Sequence, residues 1–249
     1  MKTTLIRGEA GYYDWALNPT ADLSSSARLL AAVAENPEIG RIVRLYRPAP
    51  TVAFSGIEKH KPGFREAVAE ATVFGFEPVI RPSGGRMVAI DQQWFVLDVI
   101  TPEQSKAREH INVYNRFGAS IVELLRDLGI QANFGPVAGE YCPGEHSVNA
   151  RDSVKLVGTA QRVRRGARLF SACIPFEISA DVSELFRRVN ALLDLEWRPE
   201  TLGSVSAENS DVSLHTLEAS LLQRFAADAD TEATLADIFS NRNQLAFAS

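Results

Sequence analysis

Cys142 stands in a Cys142-Pro143-Gly144 turn, and thirteen residues later comes Lys155, followed by Val157-Gly158-Thr159-Ala160-Gln161-Arg162. The thiolate is the reactive form of cysteine, and an unperturbed thiol titrates near about 8.5, so a nucleophilic cysteine needs help to ionise. Lys155 is a candidate helper. It can favour the thiolate, or hold a carbonyl oxygen as negative charge develops, and such donors are typically worth about 3 kcal/mol of barrier each. Lys155 to Val163 reads as a strand or strand edge, in which Gly158 marks a bulge or a close approach of backbone to ligand. A nucleophile on a loop, a nearby cation and a glycine that admits a ligand point together to acyl transfer. Ser83-Gly84-Gly85 adds backbone N–H groups that glycine lets approach a ligand closely.

Each of these residues also has an ordinary reading. A lone cysteine is commonly a small buried hydrophobe, and Cys173, in the apolar run 170–176, is expected in the core. A lone lysine is commonly a solvated charge, but Lys155 is flanked by Val154, Leu156 and Val157. Ser83-Gly84-Gly85 can equally be a hairpin turn. His146 is a general-base candidate or a plain loop residue. Asp91 either orients the glycine loop or caps the next turn. Arg162, Arg164, Arg165 and Arg168 form either a solvated strand face or a docking surface for an acidic carrier protein.

The elements that must position these residues can be read from periodicity and breakers. A helix over 27–35, capped from Asp22-Leu23-Ser24-Ser25-Ser26, carries Leu29, Leu30 and Val33 on one face. Residues 42–46 alternate apolar and basic, as in a half-buried strand, and Pro48 and Pro50 end it. Further strands are expected over 51–54, from 78, over 87–90, over 94–100 and over 169–178. A helix over 64–73 ends at Gly75. The strongest helix, 113–128, has Val113, Phe117, Ile121, Leu124 and Leu128 in one stripe, with Gly129 after it. Asp181 and Glu184 suggest a capped helix to 193. Residues 196–211 read as a polar linker, and Leu214, Leu217, Leu221 and Phe225 as a last amphipathic helix. The tail after 226 reads as a short helix or as disordered. Strands grouped early with few long helices between them favour α+β with a mixed sheet over a doubly wound fold.

Composition narrows the partners. Of 249 residues, 45% are hydrophobic and 23% charged, which is ordinary for a globular protein. The net charge of -5 does not suggest nucleic acid. No apolar run approaches the roughly 20 residues of a membrane helix, and the first residues lack the apolar core of a signal peptide. Two cysteines and four scattered histidines suggest neither a disulfide framework nor a metal site. A cytoplasmic, reducing setting with a free thiol is expected.

Three stretches, in order, resemble the superfamily of lipoate–protein ligases, octanoyltransferases and biotin ligases. They are Arg47-Pro48-Ala49-Pro50-Thr51-Val52 ending in Ser55-Gly56, then Arg81-Pro82-Ser83-Gly84-Gly85-Arg86 closing on Ile90-Asp91, and then Lys155-Leu156-Val157-Gly158-Thr159-Ala160-Gln161. The resemblance covers roughly residues 40 to 178. The Cys142 loop and Ile90-Asp91 are similar to the cysteine-dependent octanoyltransferases that draw on the glycine-cleavage H protein; the ATP-using ligases usually have a His before this Asp. Two departures stand out. Arg86 replaces a small or apolar residue, and Glu145-His146-Ser147 replaces a stretch that normally includes an Asp.

The resemblance implies a mixed sheet flanked by helices, with a catalytic domain over 1–180 and a helical C-terminal extension over 181–249. It implies Cys142 and Lys155 as catalytic residues. It implies Arg81, Ser83, Gly84, Gly85, Asp91, Gly158, Thr159 and Gln161 as substrate-binding, with no metal. The acyl tunnel would be walled by 52–54 and 87–90, and each buried CH2 of the chain contributes about 0.8 kcal/mol. The implied activity moves an octanoyl or lipoyl group through a Cys142 thioester to a lysine of a lipoyl domain, with no cofactor. The implied partners are the H protein, oxo-acid dehydrogenase acyltransferase subunits and acyl carrier protein. The alternatives are an ATP- and Mg-dependent lipoate–protein ligase and a non-catalytic homologue that only binds carrier domains.

Overall fold

A computed structural model describes residues 1–7, 19–81, 84–103 and 110–239. The large sheet contains β1 (Thr3–Arg7), β2 (Arg41–Tyr46), β6 (Trp94–Pro102), β7 (Ala132–Phe134), β8 (Val148–Ala150), β9 (Val154–Arg164), β10 (Ala167–Pro175) and β11 (Thr231–Glu232). Its order is β11-β1-β2-β6-β10-β9-β8-β7. β1 runs parallel to both its neighbours, and the remaining pairs are antiparallel. A smaller sheet places β3 (Thr51–Ser55) between β4 (Glu77–Arg81), parallel to it, and β5 (Val88–Ile90), antiparallel to it. The helices are α1 (Pro19–Glu35), α2 (Phe64–Val73), α3 (His110–Asp127), α4 (Ala180–Leu192), α5 (Val205–Glu208) and α6 (Leu214–Ala226). The mixed α+β architecture expected from the sequence is the one observed.

β6 shows why the centre of the large sheet is buried on both faces. Its sequence, Trp94-Phe95-Val96-Leu97-Asp98-Val99-Ile100, is nearly continuous in apolar residues, the pattern of a strand covered on both sides. Phe95, Leu97 and Val99 pack with residues of α3 and α6, while Trp94 and Val96 pack with the small sheet and α4. Ile100 packs with Leu29, Leu30 and Val33 of α1. Each such side chain contributes about 1.5–3 kcal/mol on burial.

β2 corrects the half-buried reading of 42–46. The alternation there places Arg44 on a solvent face; instead Arg44 is 2% exposed and pairs in register with Asp98 of β6. Its guanidinium lies 3.8 Å from the Asp98 carboxylate and stacks on the Tyr46 ring, and Ser26 of α1 donates to Asp98 at 2.5 Å. Burial raises the Asp98 carboxyl above its ordinary value, against the opposing pull of Arg44. α1 covers this face, so the alternation separates two buried faces rather than inside from outside.

Several boundaries move for local reasons. α1 begins at Pro19, so Asp22 lies within its first turns rather than ahead of it. α4 is capped by Ser179, whose hydroxyl accepts the Val182 N–H; Asp181 falls in the first turn, where it complements the helix dipole. β10 ends at Pro175, short of residue 178. The segment 196–211, expected as a linker, is packed. Thr201 and Val205 are fully buried, and the Gly203 N–H donates to the Lys155 carbonyl. Residues of 181–226 share the cores built by the first 180, and past them β11 pairs with β1. Among the described residues, no helix is long and apolar enough to cross a membrane.

Candidate active site

Cys142 lies in the connection between β7 and β8. β7 and β8 pair antiparallel up to Phe134 and Val148, and the neck of the loop is closed by the Gly135 N–H donating to the Ser147 carbonyl at 2.9 Å. Asn149 tightens it by donating its side-chain amide to the Gly135 carbonyl. At the far end Cys142 is half-buried, and its Sγ accepts the backbone N–H of Arg86 at 3.1 Å.

Lys155 enters from β9, which follows β8 after a tight turn. It is 4% exposed. Its Nζ donates to the Cys142 carbonyl oxygen at 2.7 Å, not to the thiol, and lies 3.5 Å from Glu140 Oε1 and 4.8 Å from the centre of the Tyr141 ring. An ammonium has three donors, so after Cys142 and Glu140 one N–H remains for a ligand among the described residues. Gly158 stands three residues further along the strand. A Cβ there would meet Lys155 Cε and Tyr141 Oη at 3.5 Å, so its hydrogen keeps that corner open. β9 pairs regularly with β10 through Gly158, and its irregularity falls just before that residue: Val148 and Asn149 of β8 face Val157 and Lys155, which leaves Leu156 as the extra residue of β9.

The glycine loop after β4 supplies the other wall. Gly85 has φ +94, and a Cβ on it would fall 2.8 Å from Arg81 Nη2 and 2.9 Å from Cys142 Sγ. Only glycine suits both the backbone and the space. Arg81 Nη2 donates to the Arg86 carbonyl at 2.6 Å, and its buried Nε has no protein partner among the described residues. Arg86 itself sends its side chain away from the thiol, to the Glu196 carbonyl at 2.8 Å. Sequence reasoning passed over Glu58, which is 3% exposed and accepts the N–H groups of both Ser55 and Met87 at 2.7 Å. It ties the end of β3 to the residue after Arg86 and so fixes the N–H that meets the sulfur. A glutamate three residues beyond a strand end was the only sequence cue.

These residues converge on one cavity of about 380 Å³. Cys142, Lys155, Arg81, Gly84, Gly85, Gly158, Thr159 and Gln161 all line it, and Leu23, Ala27, Ala53, Val88, Ile90 and Val96 give it an apolar flank. Thr159 donates to the His146 carbonyl at 2.6 Å, tying β9 to the thiol loop. Gln161 accepts from Arg168. Ser83 lies outside the described residues. Asp91 does not join the lining: its Oδ1 accepts the Gln93 N–H at 2.8 Å and caps the turn into β6, the plainer of its two readings. His146 stacks on Tyr114, with ring centres 4.0 Å apart, and makes no hydrogen bond to the thiol among the described residues. Cys173, expected in the core, lines the cavity, and burial pushes its thiol up to about 11. The basic run divides: Arg168 is 3% exposed and bound to Glu103, while Arg162, Arg164 and Arg165 are exposed. Among the described residues no three His, Cys, Asp or Glu side chains gather as a metal site.

The chain is similar in sequence and in fold to known proteins. The octanoyl-GcvH:protein N-octanoyltransferase of an Exiguobacterium species is 29% identical over 133 residues, which are 53% of this chain and 47% of that protein. The chain thus spans about half the length of the curated relatives it matches. A lipoate-protein ligase A structure bound with ATP superposes with a TM-score of 0.69 at 18% identity, over 97% of this chain and 94% of that one. A bipartite lipoate protein ligase of Thermoplasma acidophilum, studied with its E2 lipoyl domain, gives 0.65 at 18% identity, over 97% and 91%. The model of the lipoyl protein ligase A/B catalytic domain matches residues 18–226, and the chain belongs to that family.

Proposed function

We propose that the chain is an acyltransferase that moves an octanoyl or lipoyl group onto the lysine of a lipoyl domain through a Cys142 thioester, without ATP or metal. The Cys142 sulfur attacks the acyl carbonyl of a loaded donor. The C–S bond forms, the donor's bond to the acyl carbon breaks, and the donor leaves with the thiol proton. The amine of the acceptor lysine then attacks the thioester. The C–N bond forms, the C–S bond breaks, and the proton returns to sulfur. The remaining N–H of Lys155 faces the cavity to receive the carbonyl oxygen as it becomes negative.

The observation that carries this reading is the Arg86 N–H aimed at the Cys142 Sγ at the head of an apolar cavity. An activated acid such as an adenylate needs no protein thiol held in this way. The Exiguobacterium relative's name supports octanoylated H protein as donor, with acyl carrier protein as the other candidate. The acceptors are the H protein and the acyltransferase subunits of oxo-acid dehydrogenases. The exposed Arg162 and Arg164 at the end of β9 and Arg165 in the turn to β10 support an acidic face on the protein that docks.

The test is intact-mass measurement after incubation with octanoyl-loaded H protein or acyl carrier protein in the absence of ATP. A hydroxylamine-labile octanoyl adduct on the wild type, absent from Cys142→Ala, is the expected result, and the donor that gives it is the substrate. No adduct from either donor sinks the cysteine route. Adding free lipoate and ATP then separates a ligase, which consumes ATP stoichiometrically, from a protein that only binds its carrier.

A further inference from the structure

We propose that Glu140 is the residue that positions the thiol loop, by acting as the centre around which the connection 135–147 is wound. The inference rests on the thioester reading for its consequence, but not for its geometry. Glu140 is 1% exposed, and its two oxygens collect four donors from both limbs of the loop and from the strand beyond it. Oε2 accepts the Val137 N–H at 3.3 Å, on the limb before Cys142. Oε1 accepts the Gly144 N–H at 2.8 Å and the Ser147 hydroxyl at 3.0 Å, on the limb after it. The same oxygen lies 3.5 Å from Lys155 Nζ, which in turn holds the Cys142 carbonyl.

Cys142 is therefore clasped from three directions that share one carboxylate. A connection of this length has no ladder of its own, so the backbone donors inside it need an internal acceptor. A carboxylate is a strong one, because hydrogen bonds to an ionised acceptor are about twice as strong as neutral ones. The reach matters as well. An aspartate is one methylene shorter and cannot bring its oxygens to all four donors from the same backbone position. The position of Cys142 relative to the Arg86 N–H thus depends on a residue that touches neither the sulfur nor the acyl group.

The charge is part of the device. Lys155 is buried, and a buried cation left without its partner is strongly unfavourable. Glu140 keeps the ammonium fixed between the loop and the cavity with one donor free. Glutamine at this position retains the size and one oxygen, but it loses the charge and turns an amide N–H2 toward donors.

The experiment has two arms. In the first, adduct formation with octanoyl donor is followed by quenched intact mass for wild type, Glu140→Gln, Glu140→Asp and Ser147→Ala, and donor affinity is measured separately in a Cys142→Ser background. Glu140→Gln is expected to slow adduct formation about a hundredfold with donor affinity within about threefold, and Ser147→Ala to slow it about three- to tenfold. Glu140→Asp, which restores charge without reach, is expected to recover only part of the loss. Glu140→Gln reacting within about threefold of wild type overturns the proposal, as does a loss residing wholly in donor affinity. In the second arm, amide hydrogen exchange of the 137–147 peptide is compared between wild type and Ser147→Ala, and Glu140→Gln where it folds. Exchange about tenfold faster in the variants is expected, and unchanged exchange overturns the proposal. A wild type that forms no adduct defeats the thioester reading alone, since the exchange arm still decides what Glu140 does.

Discussion

Cys142 and Cys173 line one cavity and stand in opposite physical circumstances. Cys173 is in β10, two residues from its end, opposite Gly158 on one side and Val96 on the other. Its strand neighbours Ala172 and Ile174 pair with Leu97 and Phe95 of β6, and burial pushes its thiol up to about 11. Cys142 is in a loop that approaches a second loop, and the meeting leaves the Arg86 N–H free to donate to the sulfur. A strand uses its own donors in pairing; a junction of two loops can direct one at a side chain. The two sulfurs thus differ in how the backbone around each is used.

The largest effect that separates the two is chemical. Cys142→Ala is expected to lower adduct formation by at least about a thousandfold, while Cys173→Ala still forms the adduct at a rate within about tenfold of wild type; intact mass reads both. An adduct that survives in Cys142→Ala and disappears in Cys173→Ala would reverse the comparison. Next in size is Lys155→Met, expected to cost about a hundred- to a thousandfold in the same rate through loss of a carbonyl donor. It is also expected to lower the melting temperature, because Glu140 is left buried without its cation.

A third prediction concerns pH. A thiol in ordinary surroundings titrates at about 8.5 to 9, and the Cys173 thiol is pushed up to about 11 in the fold. Above pH 9 the unfolded chain releases this proton more readily than the folded one, so the native state loses stability as pH rises from about 9 to about 11. Below pH 9 the group has no effect. Denaturant unfolding across this window should show a decline that Cys173→Ala removes, and a decline of equal size in the variant would mean other groups cause it. The smallest effect is at the rim. Arg164→Glu with Arg165→Glu is expected to raise the Michaelis constant for the acceptor domain about three- to tenfold, less at high salt, with adduct formation from a small acyl thioester unchanged. Equal effects on both substrates would move these arginines from docking into the chemistry.

Much of the site was legible because its parts are contiguous. The Lys155-to-Gln161 run and the Gly84-Gly85 pair carry their meaning in residue type and spacing, and the positive φ of Gly85 is a conformation the residue type itself announces. Glu140 and Glu58 were not legible, since a carboxylate becomes a collector of N–H groups only when distant segments fold around it. Asp91 misled because an acid closing a glycine loop and an acid capping a turn have the same sequence. The fold divides in the same way. The stripe of α3 and the apolar run of β6 report their own burial, whereas Arg44 reads as solvent-facing until Asp98 and α1 are placed above it. β1, β7 and β8 are too short or too close to the termini of longer patterns to stand out, and the packed strap at 199–205 looks polar because it is held by its backbone.

The pairing of β1 with β11 joins positions 227 residues apart, as when the Thr3 N–H donates to Asp230. During synthesis β1 leaves the ribosome 227 residues ahead of its outer partner. Until then its outer edge is an open template for any extended chain nearby. The order of synthesis therefore opposes the order of the sheet. A nascent chain stalled before residue 231 carries an otherwise buildable acyl cavity beside an unfinished margin, and that margin is where misassembly with a neighbouring chain would begin.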